Sequence, residues 1–262
     1  MLSLVVCVKQ VPDTQRATFD ASTGSIDRTG TRAIMNPDDA HAVETALSIR
    51  DEYGGRITAL SMGPPQAADV LRDALALGVD DCVLLSDPRL AGSDSLATSR
   101  ALSRAIRRIG YDIVVTGREA IDGNTGHVGY QLSEFIGAPL LTQLHRIQIE
   151  GRHLSAERIY GHEYQKIRTP LPVILAVDAA ANQVRIPRLA DIAAAAEAPI
   201  TVIGVNEIGG SDDEYGVAGS PTKVLKTELF THSREGEIIE GGIHEKVERI
   251  VQILRTRNIL RY

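Results

Sequence analysis

The residues best placed to do chemistry stand together in Gly117-Arg118-Glu119-Ala120-Ile121-Asp122-Gly123-Asn124-Thr125-Gly126-His127-Val128-Gly129. The apolar run before them, Ile113-Val114-Val115-Thr116, reads as a buried strand, and residues 128–136 read as a helix. Glycines and small polar residues between a strand and a helix make a loop whose backbone N–H groups can face an anion. The helix start adds roughly half a positive charge at the same place. The chemistry implied is the holding of phosphate. The competing reading is an ordinary strand-to-helix turn that uses glycine for its backbone angles. No Gly-Lys-Thr/Ser follows, so the loop is not a Walker motif, and the first strand lacks the G-x-G-x-x-G dinucleotide fingerprint.

Other candidates sit at matching places. Cys7 and Lys9 end the first predicted strand, and Met62-Gly63 ends the second. Asn36-Pro37-Asp38-Asp39 opens a helix, with Asn36 in the N-cap position and Pro37 at the first helical one. That tetrapeptide also suits a purely structural helix start whose carboxylates favour the dipole. In an open α/β sheet such strand ends converge on one crevice, the usual ligand position. The predicted cofactor-binding set is Cys7, Lys9, Asn36, Pro37, Asp38, Asp39, Met62, Gly117, Arg118, Asp122, Gly123, Asn124, Thr125, Gly126, His127 and Val128. Thr125 is expected to cap the helix after the loop, and His127 is either a cofactor neighbour or a solvent-facing residue. The seven histidines show no metal-ligand spacing and there is no cysteine cluster, so no metal site is expected. No Gly-x-Ser-x-Gly elbow is present and neither cysteine has an obvious base, so no catalytic nucleophile is expected.

The elements that must position these residues alternate. Strands are predicted at 4–8, 56–62, 82–85, 113–116 and 171–177, with helices between them starting near 36, 65, 93 and 128. This is the grammar of an α/β fold with a doubly wound, mostly parallel, Rossmann-like sheet. Residues 140–149, 153–160 and 164–168 read as antiparallel additions, and 13–31 as a loose hairpin. The expected organisation is a nucleotide-binding domain at 1–180 and a C-terminal arm at 181–262. The arm holds an Ala-rich segment at 185–198, a turn-rich stretch at 209–219 and an amphipathic helix at 243–260.

The chain has 262 residues, of which 43% are hydrophobic, so a sizeable core is expected. A formal net charge of -6 argues against nucleic acid as a partner. The absence of Trp and an aromatic content of 4% argue against base-stacking platforms. Cys7 and Cys82 lie in apolar runs and read as buried thiols of a reducing cytoplasm. No apolar stretch reaches membrane-spanning length and no secretion signal is read, so membrane insertion is not expected and a cytoplasmic location is.

Several motifs carry a family resemblance. Val8-Lys9-Gln10-Val11-Pro12-Asp13, Met35-Asn36-Pro37-Asp38, Ser61-Met62-Gly63-Pro64, the 117–125 loop, Thr169-Pro170-Leu171-Pro172 and Gly219-Ser220-Pro221-Thr222-Lys223-Val224 occur in order over nearly the full length. Together they resemble the β subunit of electron-transfer flavoproteins. The resemblance implies an adenine-nucleotide α-hydrolase-like core and pairing with an FAD-bearing α subunit around which the arm wraps. It also implies an adenine-bearing ligand in the β site. One branch holds structural AMP there. The other holds FAD, takes hydride from NADH and splits the electron pair by bifurcation, delivering electrons through the α-subunit FAD.

The implied acceptors are a quinone by way of a membrane quinone reductase, a ferredoxin or flavodoxin, or an acyl-CoA dehydrogenase. The flavin-bearing pattern D-G-D-T-A-Q-V-G-P agrees at Asp122, Gly123, Thr125, Val128 and Gly129, and departs at Asn124, Gly126, His127 and Tyr130. Ile186-Pro187-Arg188-Leu189 lacks the Lys-rich run of many relatives, which favours the bifurcating, nitrogen-fixation-like branch. Leu189 is the expected apolar anchor on a partner, or else packs inside the heterodimer. An adenine-nucleotide sensor of the stress-protein type is the remaining alternative.

Overall fold

The computed structural model describes residues 1–13, 19–20, 25–26, 33–223 and 236–260. Two compact units are present, Met1–Leu225 and Lys226–Tyr262. The first begins with β1 (Ser3–Cys7), β2 (Gln10–Pro12), β3 (Phe19–Asp20), β4 (Ser25–Ile26), β5 (Ala33–Met35), α1 (Pro37–Tyr53) and β6 (Arg56–Met62). It continues with α2 (Ala68–Leu77), β7 (Asp81–Leu85), α3 (Ser95–Ile109), β8 (Ile113–Gly117), α4 (Val128–Ile136) and β9 (Leu140–Thr142). Then come β10 (Leu144–Glu150), β11 (His153–Tyr160), β12 (Glu163–Pro170), β13 (Val173–Val177), α5 (Leu189–Glu197), β14 (Thr201–Ile203) and α6 (Val205–Ile208). The second unit carries α7 (Ile243–Thr256).

Seven strands form one parallel sheet in the order β14-β7-β6-β1-β8-β13-β9. From β1 the chain winds outward through β6 and β7; from β8 it winds the other way through β13. The order therefore reverses between β1 and β8, where open α/β sheets leave a crevice. Side chains alternate across the sheet. Leu4, Val6 and Val8 enter one core with residues of α1 and α2, while Val5 and Cys7 enter a second core with residues of α3 and α4. Because both faces are covered, the strands read as continuous apolar runs.

The helix ends follow local chemistry at several places. Asp94, one residue beyond the expected start of α3, accepts hydrogen bonds from the N–H groups of Leu96 at 2.9 Å and Ala97 at 3.0 Å. Gly78 ends α2 in the left-handed conformation at φ 113°, where a side chain would be strained.

One expectation needs revision. The stretch 140–149 is not one antiparallel strand. Residues 140–142 form β9, parallel to β13; Gln143 then turns with φ 58°, and β10 joins the antiparallel sheet β10-β11-β12. The first compact unit runs from Met1 to Leu225. β14 pairs with β7, and Arg72 donates to the carbonyl oxygens of Ala195 at 3.0 Å and Ala196 at 2.7 Å, tying the end of α5 to α2. Of the hairpin expected at 13–31, Asp13 and the antiparallel pair β3–β4 are described and the rest lies outside the described residues, as does Val224.

Residues 181–188 are also held on α1. Arg185 donates to both carboxylate oxygens of Glu44 at 2.9 Å and to Asp51 at 3.0 Å. Burial works to raise the Glu44 pKa, but Arg185 outweighs it and holds the carboxyl below its ordinary value. The Glu44 side chain is only 9% exposed, so removing its partner strands a charge. Arg185→Ala is expected to cost about 1–3 kcal/mol. Urea unfolding should also show Glu44→Ala and Arg185→Ala to be less than additive.

Candidate functional site

The crevice between β1 and β8 is built around two buried residues at the start of α1. Asn36 is fully buried, and its side chain does not cap α1. The amide Nδ2 instead donates to the Glu119 carbonyl at 2.8 Å, and Oδ1 accepts from the Ile121 N–H at 3.1 Å. The expected N-cap thus serves a different end. It bolts the first half of the loop to the helix through two partly buried hydrogen bonds.

Asp39 does the same for the strand ends. Its carboxylate accepts the Lys9 N–H at 2.8 Å, and the Asn36 side chain and the Gly117 N–H also bond to it. Burial pushes its pKa up to about 7, with Asp38 adding to the rise and these hydrogen bonds opposing it. Gly117 is required here by space: a Cβ would overlap the Asp39 carboxylate and come within 2.9 Å of Asp38 Cβ. Burial also raises the Asp38 pKa, and takes the Cys7 thiol up to about 12 with help from the Asp39 charge. Cys7 is therefore a buried neutral thiol on the α3 and α4 side of β1.

The outer half of the loop is free. Asn124 and Gly126 take left-handed conformations at φ 49° and 61°, and Thr125 and His127 are exposed. His127, not Thr125, occupies the N-cap of α4, and it makes no side-chain cap. None of the backbone N–H groups of residues 125–130 donates to an acceptor among the described residues. Beside them Thr116 is 3% exposed with an Oγ1 that has no partner among the described residues, and a Cβ at Gly129 would stand 3.3 Å from it. Backbone donors without partners among the described residues, near a buried hydroxyl that also has none, are the kind of groups an anion can use. A Cβ at Gly123 would meet nothing within 4 Å, so that glycine is not demanded by contacts within the chain.

Lys9 and Arg118 are both engaged. Lys9 Nζ donates to the two carboxylate oxygens of Asp122 at 2.7 and 2.8 Å. Arg118 pairs with Glu119 at 2.7 Å and Asp178 at 3.4 Å, and lies 3.9 Å from Asp38. The fold therefore joins Cys7, Lys9, Asn36, Pro37, Asp38, Asp39, Gly117, Arg118 and Asp122 around one crevice. Met62 ends the neighbouring strand, β6, and Val128 packs into the second core. Sequence reading omitted Thr116, Ser61 and Asp178. All three lie at or just past carboxyl ends of parallel strands, and that rule applied to every strand would have found them. Ser61, like Thr116, has a buried hydroxyl without a partner. Leu189, 82% exposed at the start of α5, is not part of this group.

Asp39 makes a pH prediction. The folded protein keeps its proton to about pH 7, whereas the unfolded chain releases it near 3.8. Between those values the folded state binds more protons, so this group makes stability fall as pH rises. Asp39→Asn should remove that contribution. Urea midpoints at pH 5 and pH 8 should show a smaller loss over that interval for the variant than for the natural chain.

The family model described as electron transfer flavoprotein domain matches residues 23–208. An electron transfer flavoprotein subunit beta of Thermoanaerobacterium thermosaccharolyticum is 40% identical, covering 99% of this chain and 100% of that one. The caffeyl-CoA reductase-Etf complex subunit CarD of Acetobacterium woodii is 37% identical over 99% of this chain and 100% of its own length. Protein FixA of Azorhizobium caulinodans is 40% identical over 90% of this chain and 86% of its own length. A matched domain over most of the residues, with relatives aligned nearly end to end, places this chain in the electron transfer flavoprotein family, among its β subunits.

Proposed function

We propose that this chain pairs with an electron transfer flavoprotein α subunit and holds FAD in the crevice between β1 and β8. The observation that carries the reading is the run of free N–H groups at residues 125–130, set over the unpartnered Thr116 hydroxyl at the point where strand order reverses. Those donors suit a pyrophosphate. FAD, when bound, supplies the conversion between a two-electron hydride donor, here NADH, and one-electron carriers. The chain's own part is to orient the ligand. Asn36 and Asp39 keep the inner loop and strand ends still, Cys7 and Met62 lie apolar beside the β1 end, and the loop supplies the dipoles.

Electrons then leave through the α-subunit FAD. The relative named as a caffeyl-CoA reductase-Etf complex subunit supports an acyl-CoA dehydrogenase-type acceptor. A quinone reductase, ferredoxin and flavodoxin are the other acceptors that fit the family. No helix among the described residues is long and apolar enough to cross a membrane, and a cytoplasmic location is part of this proposal. The partner-facing surfaces are the C-terminal arm and α5. In α7 no residue is buried, and Ile243, Val247 and Ile250 are exposed at helical spacing. At the start of α5, Ile186 and Leu189 stand 90% and 82% exposed.

Coexpression with the α subunit tests the reading. Two FAD released per heterodimer, and bleaching of flavin absorbance on NADH addition, are expected. One FAD with one AMP per heterodimer would instead assign the structural, non-bifurcating role. Leu189→Asp is expected to leave nucleotide content unchanged while slowing electron delivery to the reductase by about tenfold or more; loss of the heterodimer in that variant would place Leu189 inside the subunit interface.

A further inference from the structure

The N–H groups at residues 125–130 serve an anion only if the first turn of α4 is held still. α4 has nine residues, and a helix this short is ordered by what it packs against. Its N-cap, His127, makes no side-chain cap. On one side the first turn lies close to the sheet, where a Cβ at Gly129 would stand 3.5 Å from Ala176 Cβ. On the other side it meets α3 through Gln131. The Gln131 Oε1 accepts from the Ser99 hydroxyl at 2.9 Å, and its Nε2 donates to the Ser95 hydroxyl at 3.4 Å. Ser99 is fully buried. α3 is itself fixed at that end. Asp94, its N-cap, also accepts the Thr222 N–H at 3.0 Å, and the Asp94 N–H donates to the Ser220 hydroxyl at 2.8 Å. The rest of α4 is held by other means. Leu132 enters the second core, Arg100 lies over the Phe135 ring at 5.6 Å, and Arg107 donates to the Phe135 carbonyl.

We infer that Gln131 is a positioning residue for the anion-facing start of α4. The inference rests on the reading of this crevice as a nucleotide site. Apolar burial, as at Leu132, is non-directional. A hydrogen bond weakens steeply as it bends. One amide that grips two hydroxyls on successive turns of α3 therefore opposes both rotation of α4 about its axis and sliding along it. Gln131 is well placed for this task. Its own N–H donates to the His127 carbonyl at 3.0 Å, so it stands one residue past the last of the N–H groups that have no acceptor among the described residues. A turn of Gln131 is passed to those donors through the helix backbone. Both ends of its amide are engaged by α3, so it acts on a ligand through the dipoles it orients and not by contact. FAD and AMP both present phosphate, so the effect is the same for either.

The test is calorimetric titration of the full-length chain with FAD and with AMP, beside urea unfolding of the same proteins without ligand. Gln131→Met keeps the volume and removes the amide. Ser95→Ala/Ser99→Ala removes the hydroxyls and keeps Gln131, and the triple variant combines them. Gln131→Met is expected to weaken whichever nucleotide the natural chain takes by about tenfold, the worth of roughly one hydrogen bond. The serine pair should give the same loss, and the triple variant no more than either. The urea midpoint of Gln131→Met should hardly move. The Ser99 hydroxyl can turn to the carbonyl four residues before it, and α4 keeps its other contacts. Unchanged affinity, a loss in Gln131→Met with the serine pair silent, additive losses, or a loss that only tracks falling stability each overturn the inference while leaving the nucleotide reading intact. A natural chain that binds neither FAD nor AMP defeats that reading, and the inference with it.

Discussion

The site depends on the requirement that buried polar groups find partners. At the start of α1 two side chains meet it for three separate elements. Asp39 takes up the backbone N–H of Lys9 after β1 and that of Gly117 at the end of β8, and Asn36 pairs with the main chain of Glu119 and Ile121. Without them, main-chain groups in the crevice would be buried and unpaired, which costs about 1–3 kcal/mol each. The same contacts explain Gly117, since no side chain fits between β8 and the Asp39 carboxylate. The demand is strong enough to keep a carboxyl in a place where burial raises its pKa to about 7.

This hub divides the loop into halves with different tasks. The inner half, through residue 122, is bolted to α1 and tied to β1 by the Lys9–Asp122 pair. The outer half keeps its donors uncommitted. Such a division suits a binding loop, in which a rigid base limits the entropy lost when a ligand engages the free groups. The charge pattern follows the same logic. The cations near the strand ends, Lys9 and Arg118, are both paired with carboxylates of the chain.

Much of the scaffold was legible because each core strand is covered on both faces and so appears as an unbroken apolar run. Helix ends marked by Pro37 and Gly78 were legible because their signals are local. The errors share a cause. β9 and β14 are three-residue strands whose membership of the parallel sheet depends on partners far away in sequence, Leu140–Thr142 on β13 and Thr201–Ile203 on β7. The position of Asn36 beside Pro37 predicts a cap, but the tertiary fold pairs its amide with the main chain of Glu119 and Ile121 instead. The residue type of Thr125 suggests a cap, but α4 begins at Val128, so the N-cap position falls on His127, two residues later.

The sequence by itself determined the alternation of strands and helices, the family, and the position of the glycine-rich loop between β8 and α4, because hydrophobic burial and glycine's backbone freedom act over a few neighbouring residues. Tertiary structure alone decided which charges are free. Lys9 and Asp122 are 113 positions apart, and only the adjacency of β1 and β8 brings them into one ion pair. A lysine that the sequence places only at a strand end is, in the folded chain, paired with a carboxylate of a distant loop, because Coulomb attraction depends on distance in space and not on separation along the chain.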